Sequence, residues 1–357
     1  MEISLCMIVK NEADVLARCL KSVQMLVDEI IIVDTGSADA TKEIAKQFTK
    51  HVYDFTWVED FSKARNFAFT KATKDYQMWL DADDIFKPAD QQAFLAMKKE
   101  WEDNIDMAML KYDVAFDEQD HPTFSYYRER IVKRSMHYQW VDPIHEVIPQ
   151  RGTVRYFPIA VSHKKLHPSD PDRNLRIFQK MLKEGVLLNS RQTFYYAREL
   201  YYHKQYEAAI PLLESVLTGK DTWLENRIDA ALVLASCYQT LSNTNKAKQA
   251  LLTSLCYTAP RSEICCELGH LFFHEKDYQN AIYWYETART QKPKVEDGGF
   301  HETDTYDYIP CLQLCVCYDR LHDLDKAIYY NELAGTIKPN DSRYLFNKEY
   351  FKKITAA

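Results

Sequence analysis

Two apolar runs in the first half of the chain end directly in carboxylates, and this feature most constrains the fold. Ile30–Val33 is followed by Asp34, and Tyr76–Leu80 is followed by Asp81–Asp84. Carboxylates at strand ends are expected where an α/β sheet binds its ligand. Their oxygens suit Mg²⁺ or Mn²⁺, which in turn hold diphosphates, so the second cluster predicts a cradle for a nucleotide diphosphate. A solvated acidic turn is the alternative.

The segments around these runs alternate between strand and helix patterns. Ile3–Val9 is apolar, and the apolar residues of 16–23 then recur at helical spacing. His51–Trp57 is a candidate third strand, 64–68 a third helix and Tyr76–Leu80 a fourth strand, while Asp39 is placed to cap the second helix. This order predicts a mostly parallel, Rossmann-like α/β sheet that binds a nucleotide.

Four short segments of the first half form a specific pattern, namely Cys6–Glu12, Val33–Ser37, Asp60–Asn66 and Leu80–Asp84. Together they resemble the family 2 glycosyltransferases, whose catalytic domain has the GT-A fold. The resemblance is closest to the subgroup that carries tetratricopeptide repeats after that domain, including the sublancin-type peptide glycosyltransferases. It implies transfer of a sugar from a nucleotide sugar.

The resemblance also implies roles for residues on the donor side. Asp34 would hydrogen-bond the base, with Asn11 and Glu12 near the base and ribose. Arg65 would face the nucleotide, and Asp81 would be the ribose- and metal-side member of the Asp-x-Asp motif. From the residues alone, the alternatives are that Asn11 is a helix cap and Arg65 a surface charge on a helix.

A divalent ion, Mn²⁺ or Mg²⁺, is the cofactor that the resemblance implies, with Asp83 as its direct ligand and Asp81 beside it. Bridging both phosphates of a UDP-sugar, such an ion neutralises charge on the departing diphosphate. His163 corresponds to the histidine that completes the metal shell in many GT-A enzymes, and imidazole suits Mn²⁺. His167 is a competing candidate, and a structural histidine is the other alternative.

The acceptor side of the resembling subgroup carries a His-Glu pair, which matches His145 and Glu146. Inverting transfer needs a general base within hydrogen-bond reach of the acceptor's proton, so Glu146 is the candidate base. Relatives often have a small residue shortly before the pair, whereas this chain has Asp142-Pro143. A share in the base chemistry therefore stays open for Asp142. The alternative is that the pair only ends a strand in a polar turn.

The second half of the chain predicts helical repeats. Four similar segments contain Ala209, Ala247, Ala281 and Ala327, and the 34 residues from Ala247 to Ala281 equal the tetratricopeptide period. Gly269 falls where the first helix of a repeat needs a small residue, and an insertion is expected around 295–304. We predict a catalytic domain at 1–170, a linking helix at 171–188 and an all-α repeat domain at 189–357.

Composition limits the remaining function classes. The net charge of −7 argues against nucleic acid as a main partner. A charged-then-apolar leader and an apolar run of about 20 residues are both lacking, so we expect a soluble cytoplasmic protein without a transmembrane segment. The nine cysteines include no Cys-x-x-Cys pair and are expected to be buried thiols in the helical repeats.

These observations predict an inverting, metal-dependent glycosyltransferase. It would move a hexose, glucose or N-acetylglucosamine, from a UDP-sugar to a peptide or protein side chain docked by the repeats. One alternative is an acceptor that is a cell-envelope or lipid-linked saccharide, and another is a non-catalytic repeat scaffold. Homodimer formation is another use predicted for the repeats, and the alternative is that they only brace the catalytic domain.

Overall fold

A computed structural model describes residues 1–166, 170–293 and 298–355. The chain divides into two units, Met1–Leu187 and Leu188–Ala357. His167, the competing metal-ligand candidate, lies outside the described residues, as does part of the predicted insertion. The segment predicted as a linking helix contains a helix at Arg173–Lys183, which is counted with the first unit.

The first unit is built on a mixed, largely parallel sheet. Its strands are β1 (Ile3–Val9), β2 (Glu29–Asp34), β3 (Val52–Asp54), β4 (Tyr76–Trp79), β5 (Asp84–Ile85), β6 (Met107–Phe116), β7 (Pro122–Lys133) and β8 (Val154–His163). They lie in the order β3-β2-β1-β4-β7-β6-β8-β5. Pairing is parallel for β3-β2-β1-β4 and for β6-β8, and antiparallel where β7 and β5 join. The predicted mostly parallel, Rossmann-like α/β sheet is confirmed.

Helices cover the sheet because its central strands are apolar on both sides. Ile3, Leu5 and Met7 of β1 belong to one core cluster, whereas Cys6 belongs to another. A strand that is buried on both faces reads as a continuous apolar run, which is what the sequence shows. The helices of this unit are α1 (Leu16–Val23), α2 (Thr41–Ala45), α3 (Phe61–Lys71), α4 (Pro88–Lys99) and α5 (Arg173–Lys183).

The parallel register brings three strand ends to one edge of the sheet. Val9 of β1 pairs with Asp34 of β2, and Cys6 of β1 pairs with Trp79 of β4. The segments after β1, β2 and β4 therefore emerge side by side, as expected for the ligand-binding edge of an α/β sheet.

The second unit is all helical apart from a short segment. Its helices are α6 (Ser190–Tyr202), α7 (Tyr206–Thr218), α8 (Leu224–Thr240), α9 (Thr244–Ser254), α10 (Ser262–His274), α11 (Tyr278–Thr290), α12 (Tyr308–Arg320), α13 (Leu324–Ile337) and α14 (Ser342–Thr355). The alanines that define the repeat register lie near the start of α7, α9, α11 and α13 and are fully buried. The predicted helical repeats are confirmed. In the described part of the insertion, an extended pair at His301–Glu302 precedes a 3-10 turn at Thr303–Tyr306.

The cysteines are free thiols, and their predicted placement needs correction. Cys6 and Cys19 lie in β1 and α1, outside the repeats, and Cys256 is exposed. The other six are buried in the repeat helices. No helix in the described ranges is both long enough and apolar enough to cross a membrane.

Gly269 in α10 lies against the ring of Tyr285 in α11. A Cβ at position 269 would lie 2.8 Å from two ring carbons of Tyr285. We expect Gly269→Ala to lower the free energy of unfolding by about 1–3 kcal/mol, since overpacking a tight core contact costs that much. Urea unfolding measures the loss. Adding Tyr285→Leu should recover part of it, and unchanged stability of Gly269→Ala would contradict this packing.

Candidate active site

Asp34 is the last residue of β2, and its two carboxylate oxygens have different surroundings. Its Oδ1 accepts hydrogen bonds from the backbone N–H groups of Gly36 at 3.0 Å and Ser37 at 2.9 Å. Gly36 has a φ of +107°, which favours glycine, so the chain can turn tightly around the carboxylate. Oδ2 is buried and has no hydrogen-bond partner among the described residues. A buried acceptor without a partner is costly, so this oxygen suits an N–H donor from a ligand.

Asn11 and Glu12 tie the segment after β1 to the segment after β2. Asn11 accepts at Oδ1 from the N–H of Ala38 at 2.8 Å, and its own N–H donates to the Ser37 hydroxyl at 2.9 Å. The Glu12 N–H donates to the Thr41 hydroxyl at 2.7 Å. Asn11 therefore joins two loops at the ligand edge and does not cap α1, which begins at Leu16.

Asp83, Asp84 and His163 form a group that can hold a metal ion. One potential ligand atom from each lies within 4.8 Å of the other two. His163 Nδ1 is 3.3 Å from Asp83 Oδ1 and 3.1 Å from Asp84 Oδ1. The register of β5 with β8 places Asp84 opposite His163, which explains how a residue so distant in sequence reaches the acidic cluster.

The chemistry of this group fits a divalent ion. Two carboxylates and an imidazole are ligands that Mn²⁺ and similar ions accept. Burial of His163 lowers its pKa, but hydrogen bonds to Asp83 and Asp84 outweigh burial and raise the pKa to about 10. A cationic imidazole is thus stabilised between the two carboxylates, so the position favours positive charge.

Asp84 is the most enclosed member of the group and was not predicted to have a role of its own. Its Oδ1 accepts from the Tyr112 hydroxyl at 2.9 Å, and its Oδ2 accepts from Arg130 at 3.1 Å and from the Asp81 N–H at 3.0 Å. Both Asp84 and Arg130 are fully buried. The sequence signal for the burial of Asp84 was its position directly before the apolar pair Ile85-Phe86.

Asp81, predicted at the metal side, lies outside the group of three and contacts Arg65. Its Oδ1 accepts from Arg65 Nη2 at 2.7 Å. Burial alone would raise the pKa of Asp81, but the nearby Arg65 and Arg130 hold it well below its usual range. Asp81 is therefore a carboxylate anion beside the metal group.

Arg65 connects Asp81 to the candidate base. Its Nε donates to Glu146 Oε1 at 2.7 Å, and only 8% of the residue is exposed. The alternative that Arg65 is a surface charge is therefore wrong. The side chain of Glu146 is 12% exposed, so the carboxylate is largely buried.

The loop that carries Asp142, His145 and Glu146 is closed by a short backbone bridge. Val141 and Val147 exchange two N–H to C=O hydrogen bonds, of 2.9 and 3.1 Å. Asp142 and His145 have φ angles of 72° and 53°, a conformation that non-glycine residues adopt rarely. The His145 ring stacks near Phe178 of α5, with centroids 6.3 Å apart. Glu146 is the residue of this set that the structure joins to Asp81 through Arg65.

Residues 4–156 match the family model of glycosyl transferase family 2. The matched segment lies within the first unit, and the chain continues after that unit into tetratricopeptide-like helical repeats. Over 245 residues, 64% of this chain and 57% of the relative, it is 26% identical to the SPbeta prophage-derived glycosyltransferase SunS of Bacillus subtilis.

Two other relatives match over 83 residues, which is 23% of this chain. A TPR repeat-containing protein of Synechococcus elongatus is 49% identical over 21% of its length. A Rickettsia felis protein named as an uncharacterized glycosyltransferase is 37% identical over 29% of its length. The chain therefore spans between about a fifth and just over half of the length of these relatives.

Asp84→Asn keeps the size of the side chain but removes the charge opposite Arg130. Because the guanidinium would then be buried without its counter-charge, we expect the free energy of unfolding to fall by about 3 kcal/mol. Urea unfolding measures the change. Asp83→Asn is the matched control, since its ion pair is partly exposed and should be worth at most about 1 kcal/mol. Equal losses in both variants would contradict the structural role of Asp84.

Proposed function

We propose that this protein is a metal-dependent glycosyltransferase that takes its sugar from a UDP-sugar. The observation that carries the proposal is the Asp83, Asp84 and His163 group at the sheet edge where Asp34 has a buried oxygen without a partner among the described residues. These are the two features that a nucleoside diphosphate needs, a place for its base and a place for the cation on its phosphates.

Asp34 supplies the contact to the base. Uracil carries an imide N–H, a hydrogen-bond donor that suits Asp34 Oδ2, whereas cytosine has a bare acceptor at the same position. A carboxylate accepts hydrogen bonds and donates none, so it favours uracil. Asn11 and Glu12 hold the adjoining loops in place around this contact.

Asp83 and His163 would hold the divalent ion, with Asp84 behind them. Such an ion supplies positive charge to the diphosphate as it leaves. Asp84 is fixed by Arg130 and Tyr112, so its carboxylate orients the His163 ring. Fixing a ligand through a neighbouring hydrogen bond is how proteins set the geometry of a metal site.

Glu146 would act as the general base of inverting transfer. The acceptor's proton passes to the Glu146 carboxylate while the acceptor atom forms a bond to the anomeric carbon and the bond to UDP breaks. A base of this kind contributes about 10²- to 10⁴-fold to the rate. Asp142 lies in the same closed loop and is the second candidate for the role.

The acceptor side of the proposal rests on the helical repeats. Stacked helix pairs present a long groove of the kind that binds extended polypeptides, which favours a peptide or protein acceptor over a saccharide. Glucose or N-acetylglucosamine is the proposed sugar. A homodimer through the repeats is the competing use of that surface. The presence of Asp34, Asp83 and Glu146 speaks against a scaffold that has lost catalysis.

UDP release from a panel of UDP-sugars tests the donor side. With Mn²⁺ or Mg²⁺ the parent should release UDP from one preferred sugar, and EDTA or Asp83→Ala should abolish release because the diphosphate loses its cation. Asp103→Ala, at an exposed carboxylate of the same unit, is the control and should behave like the parent. Metal-independent release, or full release by Asp83→Ala, would reject the metal assignment.

Glu146→Gln tests the base. It removes the proton acceptor and keeps the shape, so UDP release should fall by about 10²- to 10⁴-fold while UDP affinity, measured by calorimetry, is retained. Glu118→Gln, at an exposed position, is the matched control. Full activity of Glu146→Gln would transfer the role to Asp142.

A further inference from the structure

We infer that Arg65 is a positioning residue that links the donor side of the site to its base. The same guanidinium contacts Asp81 and holds Glu146, so the placement of the base depends on the donor side. This inference rests on the proposed function. It differs from the expectation that Arg65 faces the nucleotide.

The two carboxylates bind different nitrogens of the guanidinium. Nε donates to Glu146 Oε1 and Nη2 donates to Asp81 Oδ1, each at 2.7 Å. Both are charge-assisted hydrogen bonds, which are shorter and stronger than neutral ones. Because the guanidinium is planar and rigid, fixing one nitrogen fixes the other.

Two indole rings hold Arg65 in this position. Its guanidinium carbon is 4.9 Å from the ring centroid of Trp79 and 4.8 Å from that of Trp140. Nη1, the third nitrogen, is buried and has no acceptor within the described part of the chain. Only 9% of the side chain is exposed, and its Nε and Nη2 donate to the two carboxylates.

The helix that carries Arg65 also holds the acceptor loop. Asn66, the next residue of α3, donates from Nδ2 to the Trp140 carbonyl at 2.9 Å and accepts at Oδ1 from the Trp140 N–H at 2.8 Å. The Phe61 N–H, at the start of α3, donates to the Pro143 carbonyl at 2.8 Å. The loop backbone is thus fixed by α3 at two points, and Arg65 adds the contact to the Glu146 side chain.

One consequence is that Asp81 and Glu146 share a single counter-charge. Any ligand that draws Asp81 away from Arg65, or adds positive charge beside it, changes how firmly Arg65 holds Glu146. By linkage, the effect is reciprocal: an acceptor that engages Glu146 changes the affinity for the donor. Arg65 therefore gives the two substrate sides a physical connection through one side chain.

The variant Arg65→Gln distinguishes a role of Arg65 in positioning Glu146 from a direct contact of Arg65 with the nucleotide. The probes are UDP, for binding calorimetry, and the UDP-sugar that the parent hydrolyses fastest with Mn²⁺, for kcat and KM. A positioning role predicts a fall in kcat of about 10²-fold with UDP affinity changed by less than about threefold. A nucleotide contact predicts the reverse, weaker UDP binding with kcat unchanged, and that result would overturn the inference.

A double variant tests whether Arg65 acts through Glu146. In the Glu146→Gln background, Arg65→Gln should cause no further loss of kcat, since residues that act as a unit are not additive. Losses that multiply would overturn the inference. Arg65→Lys is the second variant if Arg65→Gln fails to fold. It keeps the charge but cannot bridge both carboxylates, so kcat should again fall while UDP binding persists.

Arg155→Gln is the control for loss of an arginine, because its ion pair with Glu102 is about half exposed and lies outside the site. It should keep the parent's kcat and UDP affinity. If the parent neither binds UDP nor releases it from any UDP-sugar, the proposed function itself is overturned. An active parent whose Arg65 variants keep full kcat would overturn only the positioning role.

Discussion

The buried carboxylate of Asp84 is the contact on which the organisation of the first unit depends. It receives hydrogen bonds from Tyr112 of β6, from Arg130 of β7 and from the backbone after β4, and it faces His163 of β8. Burying a charge is expensive unless it is paired and hydrogen-bonded, and here every oxygen has partners. Strands from both halves of the sheet are therefore held at the point where the metal group lies.

Much of this architecture follows from local sequence patterns. The strands β1, β2 and β4 are apolar runs that end at polar residues, and the repeat helices carry buried alanines at fixed places. Both are properties of consecutive residues, so they are visible without a structure. The same holds for Asp34, Asp83 and His163, which stand at or near strand ends.

What the sequence did not show depends on contacts between distant segments. The hairpin of β6 and β7 has lysines, aspartates and arginines among its apolar residues. Two of these polar side chains are buried with a partner, Arg130 with Asp84 and Asp113 with Ser125. Those residues hide the strand pattern. Likewise, Arg65 looks like an ordinary helix charge until Trp79, Trp140, Asp81 and Glu146 are brought around it from two other segments.

The repeat unit is organised differently, because each helix packs chiefly against its neighbours in sequence. In such a one-dimensional stack, a pair can be gained or lost by recombination without rebuilding a shared core. The spacing between the last two repeat alanines, Ala281 and Ala327, is already lengthened by inserted residues that form an extended pair and a turn. The helical half can thus change its length and its surface over evolutionary time while the buried carboxylates of the sheet-containing half stay fixed.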